Sequence, residues 1–439
     1  MGFLDLVLGP IYFLLIFYWA KSYSAKFNDP FLSKHFFNGL LFKLLGATGA
    51  SVIYWFVYGT GDSIFYYRRS IVVKEVLMND FFVGLKLLFD NTNLSDPDTF
   101  LYIMSIKAHE ESAFMVVKIL TFINLITFDS YLCSSYIFAL GSFYGIWKAF
   151  RFFVSLYPKY KSNIALGFFY IPSVAFWGSG IFKDNITFGL LCLVIVKLYD
   201  VVVNRKLSIL NFVKLGFSIY IIGIIKSYIL MAFLPAFGVW MFLEFRDKIR
   251  SAVLKTVATP FFIAISLVAG VFVLQVLGKT FNKFSVENFE EKASGMQRWH
   301  INRVKAKGEG SAYTLGDGLD FTPVGIAKKA PLAIAVAIYR PFIWEARNAT
   351  MMLSAIESTI LLYYTLRLLP FLLVSPVRFF SVLSSNPPLV FALIFSLVFA
   401  FSVGFTSFNF GALSRYRIPF LPLYFMFITI VLDKLKTSK

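Results

Sequence analysis

The stretch Gly59-Thr-Gly-Asp-Ser-Ile-Phe-Tyr-Tyr-Arg-Arg69 puts a carboxylate directly behind a long apolar run. Asp62 thus stands where a hydrophobic helix leaves a bilayer, with Ser63, Tyr66, Arg68 and Arg69 close behind. A carboxylate among hydroxyls and guanidinium groups suits proton abstraction from a substrate hydroxyl, while the arginines hold a phosphate. The competing reading is a plain helix end, with Gly-Thr-Gly as a turn and Arg68-Arg69 as a headgroup anchor.

Three further constellations carry chemistry-bearing side chains. Trp177-Gly-Ser-Gly-Ile-Phe-Lys183-Asp184 combines a tight backbone at Gly178 and Gly180 with an ionisable pair at a membrane boundary, where such residues are costly and tend to have a role. Asp184 also fits a simpler task, stabilising the N-terminus of the next helix. Arg340-Pro-Phe-Ile-Trp-Glu345-Ala-Arg347 interleaves charge with aromatics, as a site for a sugar face and an anionic group would, or as an interfacial anchor would. Glu357, ten residues beyond Arg347 in an apolar helix, requires a partner inside the bundle. Ser414-Arg415-Tyr-Arg417-Ile-Pro419 offers two arginines that suit a phosphate clamp or a headgroup anchor.

The elements that must position these residues are membrane helices. Of 439 residues 58% are hydrophobic and 15% charged, and 54 Phe and 23 Tyr exceed what an aqueous fold can cover. Apolar runs near the bilayer thickness recur along the chain, and the pattern predicts an all-α, polytopic transmembrane bundle of about 11–13 spans with external loops and interfacial helices. The whole chain, 1–439, reads as one integral membrane domain, with a first large polar loop at 59–112 and a second external loop with an interfacial helix at 279–347. Predicted spans begin at roughly 4–20 and 41–58, and Lys21, Lys26, Lys34 and Lys43 read as one loop between them. Later ones include 208–224, 227–243 and 256–277. One conflict stands: with Asp62 external and Arg151 to Lys161 internal, 59–150 must cross an odd number of times, and only two crossings are evident. Either 71–89 enters the membrane, or a later run is re-entrant, or Asp62 faces the cytoplasm.

The net charge of +18 does not signal nucleic acid, because Lys and Arg sit at the ends of apolar runs, where the positive-inside rule and anionic headgroups place them. Cys133 and Cys192 lie in apolar context and His35, His109 and His300 are scattered, so no metal site is expected. No nucleotide-binding or hydrolase motif occurs, and no cofactor is expected.

The acidic residue on an early loop resembles multispanning lipid-linked glycosyltransferases of the GT-C type and related polysaccharide polymerases. Arg-Tyr-Arg-Ile-Pro-Phe-Leu-Pro at 415–422 is similar to the Arg-Tyr-x-x-Pro-x-x-Pro ending of many such proteins. Gly-Asp-Ser at 61–63, Pro-Ser-x-x-Phe-Trp-x-Ser-Gly-x-x-Lys-Asp at 172–184 and Arg-Pro-Phe-x-Trp-Glu-Ala at 340–346 together resemble a family of bacterial (Bacteroidetes-type) envelope membrane proteins. The resemblance implies Asp62 as general base on an acceptor hydroxyl and Arg415 and Arg417 as ligands of a polyprenyl phosphate. Where those families usually carry an acidic pair, Asp62 stands beside Ser63.

Together these readings lead to a glycosyltransferase or polysaccharide polymerase of the bacterial inner membrane. It would use a polyprenyl-phosphate-linked donor at the periplasmic face, and membrane lipids and the lipid-linked glycan are its expected partners. Arg68, Arg69, Lys183, Arg340, Arg347, Arg415 and Arg417 supply the positive charge, with Asp184, Glu345 and Glu357 among them. Two alternatives are a transporter or flippase of a lipid-linked or anionic substrate, and a non-catalytic subunit with protein partners in an envelope or secretion complex.

Overall fold

A computed structural model of the chain describes residues 1–89, 111–246, 295, 311–316 and 323–437. Among these residues the fold is helical, with no strand beyond an isolated bridge between Ala312 and Asn409. In chain order the helices are α1 (Phe3–Ser24), α2 (Pro30–Val52), α3 (Asp62–Asn79), α4 (Phe81–Phe89), α5 (Glu111–Thr127) and α6 (Tyr131–Leu156). There follow α7 (Lys161–Ala165), α8 (Pro172–Phe176), α9 (Lys183–Val202), α10 (Ile209–Arg246) and α11 (Pro323–Tyr339). The last are α12 (Ala349–Val374), α13 (Pro376–Ser384), α14 (Pro387–Thr406), α15 (Phe410–Tyr416) and α16 (Leu421–Thr437).

Seven of the described helices are long and apolar enough to cross a membrane: α1, α2 with its π-helical extension to Tyr58, α6, α9, α10, α12 and α14. The pair α15–α16, bent by 71°, makes an eighth if it forms one span. Helices α5 and α11 have 17 residues each, about 25 Å at 1.5 Å per residue, the short end of what spans a hydrocarbon core. The predicted span at 256–277 and most of the segment 279–329 of the second external loop lie outside the described residues. Burial is inverted relative to a water-soluble fold. Leu6, Leu14, Leu15, Leu210, Val213, Leu366 and Leu373 are exposed, while Asn124, Asp184, Lys226, Glu357 and Arg417 are buried. That distribution fits lipid as the solvent. The protein is a multi-pass membrane protein.

The chain divides into two compact units, each discontinuous in sequence. Unit one comprises Met1–Phe152 and Val174–Lys226; unit two comprises Phe153–Ser173 and Ser227–Lys439.

In unit one, buried Asp5 accepts hydrogen bonds from Ser130 Oγ (2.8 Å) and Leu132 N (2.9 Å), tying α1 to the first turn of α6. Asn124 Nδ2 donates to Ser70 Oγ (2.8 Å), and Ser134 Oγ donates to Asn124 Oδ1 (2.9 Å). This polar chain pins α3, α5 and α6 together, and in an apolar medium satisfied polar groups specify one packing. Helices α6 and α9 meet at glycines: a Cβ on Gly145 would lie 1.9 Å from the Gly189 carbonyl oxygen. The stretch at 71–89, one candidate for entering the membrane, is divided between two helices, α3 and α4. The break falls at Asp80, whose Oδ1 accepts Val83 N (3.0 Å) and caps α4.

In unit two, Phe391, Phe395 and Phe399 stack successively along α14, their ring centroids 5.9 and 5.5 Å apart. α14 packs on α11 and on the almost wholly buried α16. Asn348 caps α12 through Met351 N (2.9 Å), and Asn409 caps α15 through Ala412 N (3.0 Å).

Candidate functional site

The four constellations named from sequence join two by two, one pair in each unit. In unit one, α2 ends in a π-helical turn, Ile53–Tyr58, and the chain reverses through Gly59 and Gly61, both at positive φ (63° and 115°). Glycine adopts that region at no steric cost. The reversal delivers Asp62, exposed, as the first residue of α3. Buried Ser63, hydrogen-bonded to Tyr131 OH at 2.6 Å, fixes that helix start against α6. Tyr66 is one turn on from Asp62, and Arg69 one further turn along the same stripe, where its guanidinium covers the Phe65 ring at 5.4 Å. Arg68 is exposed and lies off this stripe.

The second constellation meets the first at Tyr66. Lys183, the first residue of α9, holds its ammonium 5.8 Å from the centre of the Tyr66 ring and donates to Ser112 Oγ at 2.9 Å. Lys183 thus meets a buried tyrosine that lies one helical turn along α3 from exposed Asp62.

The residues before Lys183, 177–182, form a buried non-helical segment that presents backbone groups to its neighbours. Lys43, midway along α2 and 5% exposed, donates to the Gly178 carbonyl. Asn185 Nδ2 donates to Gly180 O at 2.9 Å, and Asn185 Oδ1 is buried with no hydrogen-bond partner. The approach of α2 depends on Gly46, where a Cβ would sit 1.9 Å from Ala175 O. Asp184 makes no capping bond at the start of α9. Its carboxylate pairs with Lys226 Nζ, and both side chains are nearly inaccessible, at 3% and 7%. Lys226 has φ −150° and ψ 71°, so α10 is two helices meeting at a break. Lys183 and Asp184, adjacent in sequence, thus reach different partners.

The third and fourth constellations meet in unit two. Glu357, buried in α12, accepts from Arg417 at 2.7 Å and from Ser173 Oγ at 2.6 Å, and also from Ser173 N. Arg417 is 0% exposed. Its other donors reach Ser358 Oγ (2.7 Å), Ser354 O (3.1 Å) and Arg340 O (3.4 Å), while Nε is buried without a partner. Arg340 grips Glu345 through Nε (3.1 and 3.0 Å to the two carboxylate oxygens) and lies over the Phe410 ring at 5.0 Å. Burial raises the Glu345 pKa, but the Arg340 hydrogen bonds, Phe342 N–H and the guanidinium charge outweigh it, holding the carboxyl below its ordinary value. Arg347 is exposed, and Arg415 is half-buried beside the Tyr416 ring at 6.0 Å.

Lys43, Ser112, Asn185 and Lys226 were not among the sequence candidates. Lys43 read as a loop cation, whereas α2 begins at Pro30 and encloses it. Lys226 fell in the gap between two predicted spans, where the break in α10 now lies. A lysine within an apolar run was the available signal in both cases. Among the described residues no group of three or more His, Cys, Asp or Glu is placed to hold a metal ion.

Comparisons with protein-family models, with curated proteins and with solved structures return no match.

Proposed function

We propose that the protein transfers a sugar or glycan from a polyprenyl-phosphate-linked donor at the periplasmic face of a bacterial inner membrane. One observation carries this reading: Asp62 is exposed just beyond an apolar helix, and Tyr66, one helical turn further on, meets the Lys183 ammonium. In the proposed step the acceptor oxygen bonds to the anomeric carbon and its proton passes to Asp62. The carbon–phosphate-oxygen bond breaks, and the lipid phosphate leaves toward cationic side chains. Lys183, over the Tyr66 ring, and Arg69, two turns on from Asp62 along α3, are the first candidates for the phosphate; Arg68, Arg347 and Arg415 are further ones. Arg340 and Arg417, already bound to carboxylates, support the fold of their unit in this reading, as do Glu345 and Glu357. Asp184 belongs to the frame that holds Lys183.

The test is turnover of lipid-linked glycan in proteoliposomes made with a bacterial lipid extract, read as released polyprenyl phosphate by mass spectrometry. Asp62→Asn should abolish release with an unchanged melting temperature, and Asp62→Glu should keep part of it. Undiminished release by Asp62→Asn sinks the reading.

A second reading, transport of a lipid-linked or anionic substrate, is favoured by the buried Asp184–Lys226 pair at the break in α10. Interrupted helices and buried ionisable pairs recur at the substrate sites of transporters. Substrate movement between leaflets that survives Asp62→Asn but not Lys226→Met would select it.

A further inference from the structure

A cleft of about 1120 Å³ opens in unit two, far along the chain from the Asp62 constellation. Three separate segments line it: 156–160 after α6, 374–386 across the corner between α12 and α13, and the last turn of α16. Its wall carries Lys159, Arg378 and Lys434 and no acidic residue, with hydroxyl and amide groups such as Ser381 and Asn386 between them. Asp433, next to Lys434 in sequence, is engaged by Lys159 Nζ (3.0 Å) and Tyr160 OH (2.9 Å). Arg378 is anchored by the Leu435 carbonyl. A guanidinium carries five N–H donors and an ammonium three, so these anchors are compatible with a bound anion.

The mouth of the cleft is apolar. Val374 and Val377 belong to its wall yet are 82% and 84% exposed, beside exposed Leu373 and Phe380. Phe379 and Leu383, on the other side of α13, are buried. α13 is therefore amphipathic, with one face on the protein and the other outward, as in helices that lie in the membrane interface. A wall that joins cationic side chains to exposed aliphatic ones matches an amphiphile and not a small soluble anion.

We infer that this cleft binds the headgroup phosphate of an anionic phospholipid, its acyl chains running along Leu373, Val374, Val377 and Phe380. Lys159, Arg378 and Lys434 meet the phosphate, and Ser381 and Asn386 meet the headgroup's polar atoms. Lys161 and Lys436 lie beside the lining segments, and such a basic end belongs with the anionic cytoplasmic leaflet. The site is independent of the transferase reading, because none of its residues takes part in that chemistry.

The test is binding to the full-length protein in neutral detergent, by native mass spectrometry, of dioctanoyl phosphatidylglycerol, dioctanoyl phosphatidylcholine and inorganic phosphate. The anionic lipid should bind about tenfold more tightly than the zwitterionic one, the size expected of one added charge-assisted contact. Arg378→Gln and Ser381→Asp should each weaken it by a similar factor, and Lys26→Gln, in unit one, should not. Ser381 is exposed, so its variant keeps the test decisive if Arg378→Gln fails to fold. Equal binding of the two lipids overturns the proposal, as does wild-type affinity in Ser381→Asp. Displacement of the anionic lipid by an equal concentration of inorganic phosphate would reduce the cleft to a simple anion site.

Discussion

Arg417, without exposed surface, donates a 2.7 Å hydrogen bond to Glu357 Oε2, joining the turn before the last helix to the middle of α12. Ser173, from the first segment of the same unit, completes the carboxylate's ligands. The arginine that resembled a phosphate ligand is thus fully buried and paired with a carboxylate. Removing either partner strands a buried charge, which costs about 3–5 kcal/mol. Arg417→Met and Glu357→Leu should each lower the unfolding free energy by that order, and the double variant should recover most of the loss. Unfolding by denaturant in detergent micelles checks this. An Arg417→Met protein of normal stability that no longer binds polyprenyl phosphate would return Arg417 to the role of ligand.

The Asp184–Lys226 pair obeys the same logic in unit one. Lys226→Met leaves Asp184 buried beside the break in α10, and an uncompensated charge there should cost about 3 kcal/mol or more. Adding Asp184→Asn should restore most of the stability, since a neutral amide is far cheaper to bury. The double-variant cycle gives the coupling directly; a coupling near zero would mean that the pair does not hold the break.

Gly46→Ala tests how closely α2 approaches the segment at 177–182. The added methyl would meet the Ala175 carbonyl oxygen at 1.9 Å, a backbone atom that cannot rotate away. Overpacking of this kind costs about 1–3 kcal/mol. The variant should melt lower and loosen the Lys43–Gly178 contact, seen as faster amide exchange at 178–182. Gly141→Ala, where an added Cβ meets nothing, is the matched control.

Glu345 predicts an acid limb. Its folded pKa lies below the ordinary carboxylate value because Arg340 and Phe342 N–H favour the charged form. The unfolded chain therefore binds this proton at higher pH, so the stabilisation is present above the unfolded pKa and is lost as pH falls through the folded one. The melting temperature of wild type should decline below about pH 4.3. Glu345→Gln should start lower at neutral pH and lose less on acidification. Parallel curves for the two proteins would contradict the assignment.

Much of the membrane class was legible in sequence, because a 20-residue apolar run can scarcely do anything but cross or line a bilayer. The need of Glu357 for a partner was legible too, since its apolar neighbours offered none. Its partner was not, because Arg417 lies 60 residues away and only the packing of α12 against α15 and α16 selects it. Lys43 was misplaced because runs of lysine ahead of a span look like loop charge, and nothing local distinguishes an enclosed ammonium from an exposed one. Asp184 suited helix capping by position alone; the break that brings Lys226 to it is a tertiary choice. Asp62, Arg68, Arg69 and Lys183 were grouped by type, and the contact of Lys183 with Tyr66 on α3 is what ties two of those stretches together.

The central claim rests on the Asp62 carboxylate, and single-turnover transfer in proteoliposomes tests it most directly. Preloaded lipid-linked donor should release polyprenyl phosphate with wild-type protein and with Lys26→Gln, a change at an exposed residue outside the proposed site, at comparable rates. Asp62→Asn should lose about 100-fold or more, the contribution expected of a general base, while still binding the donor. Release by Asp62→Asn within a few-fold of wild type would contradict the assignment of Asp62 as the base.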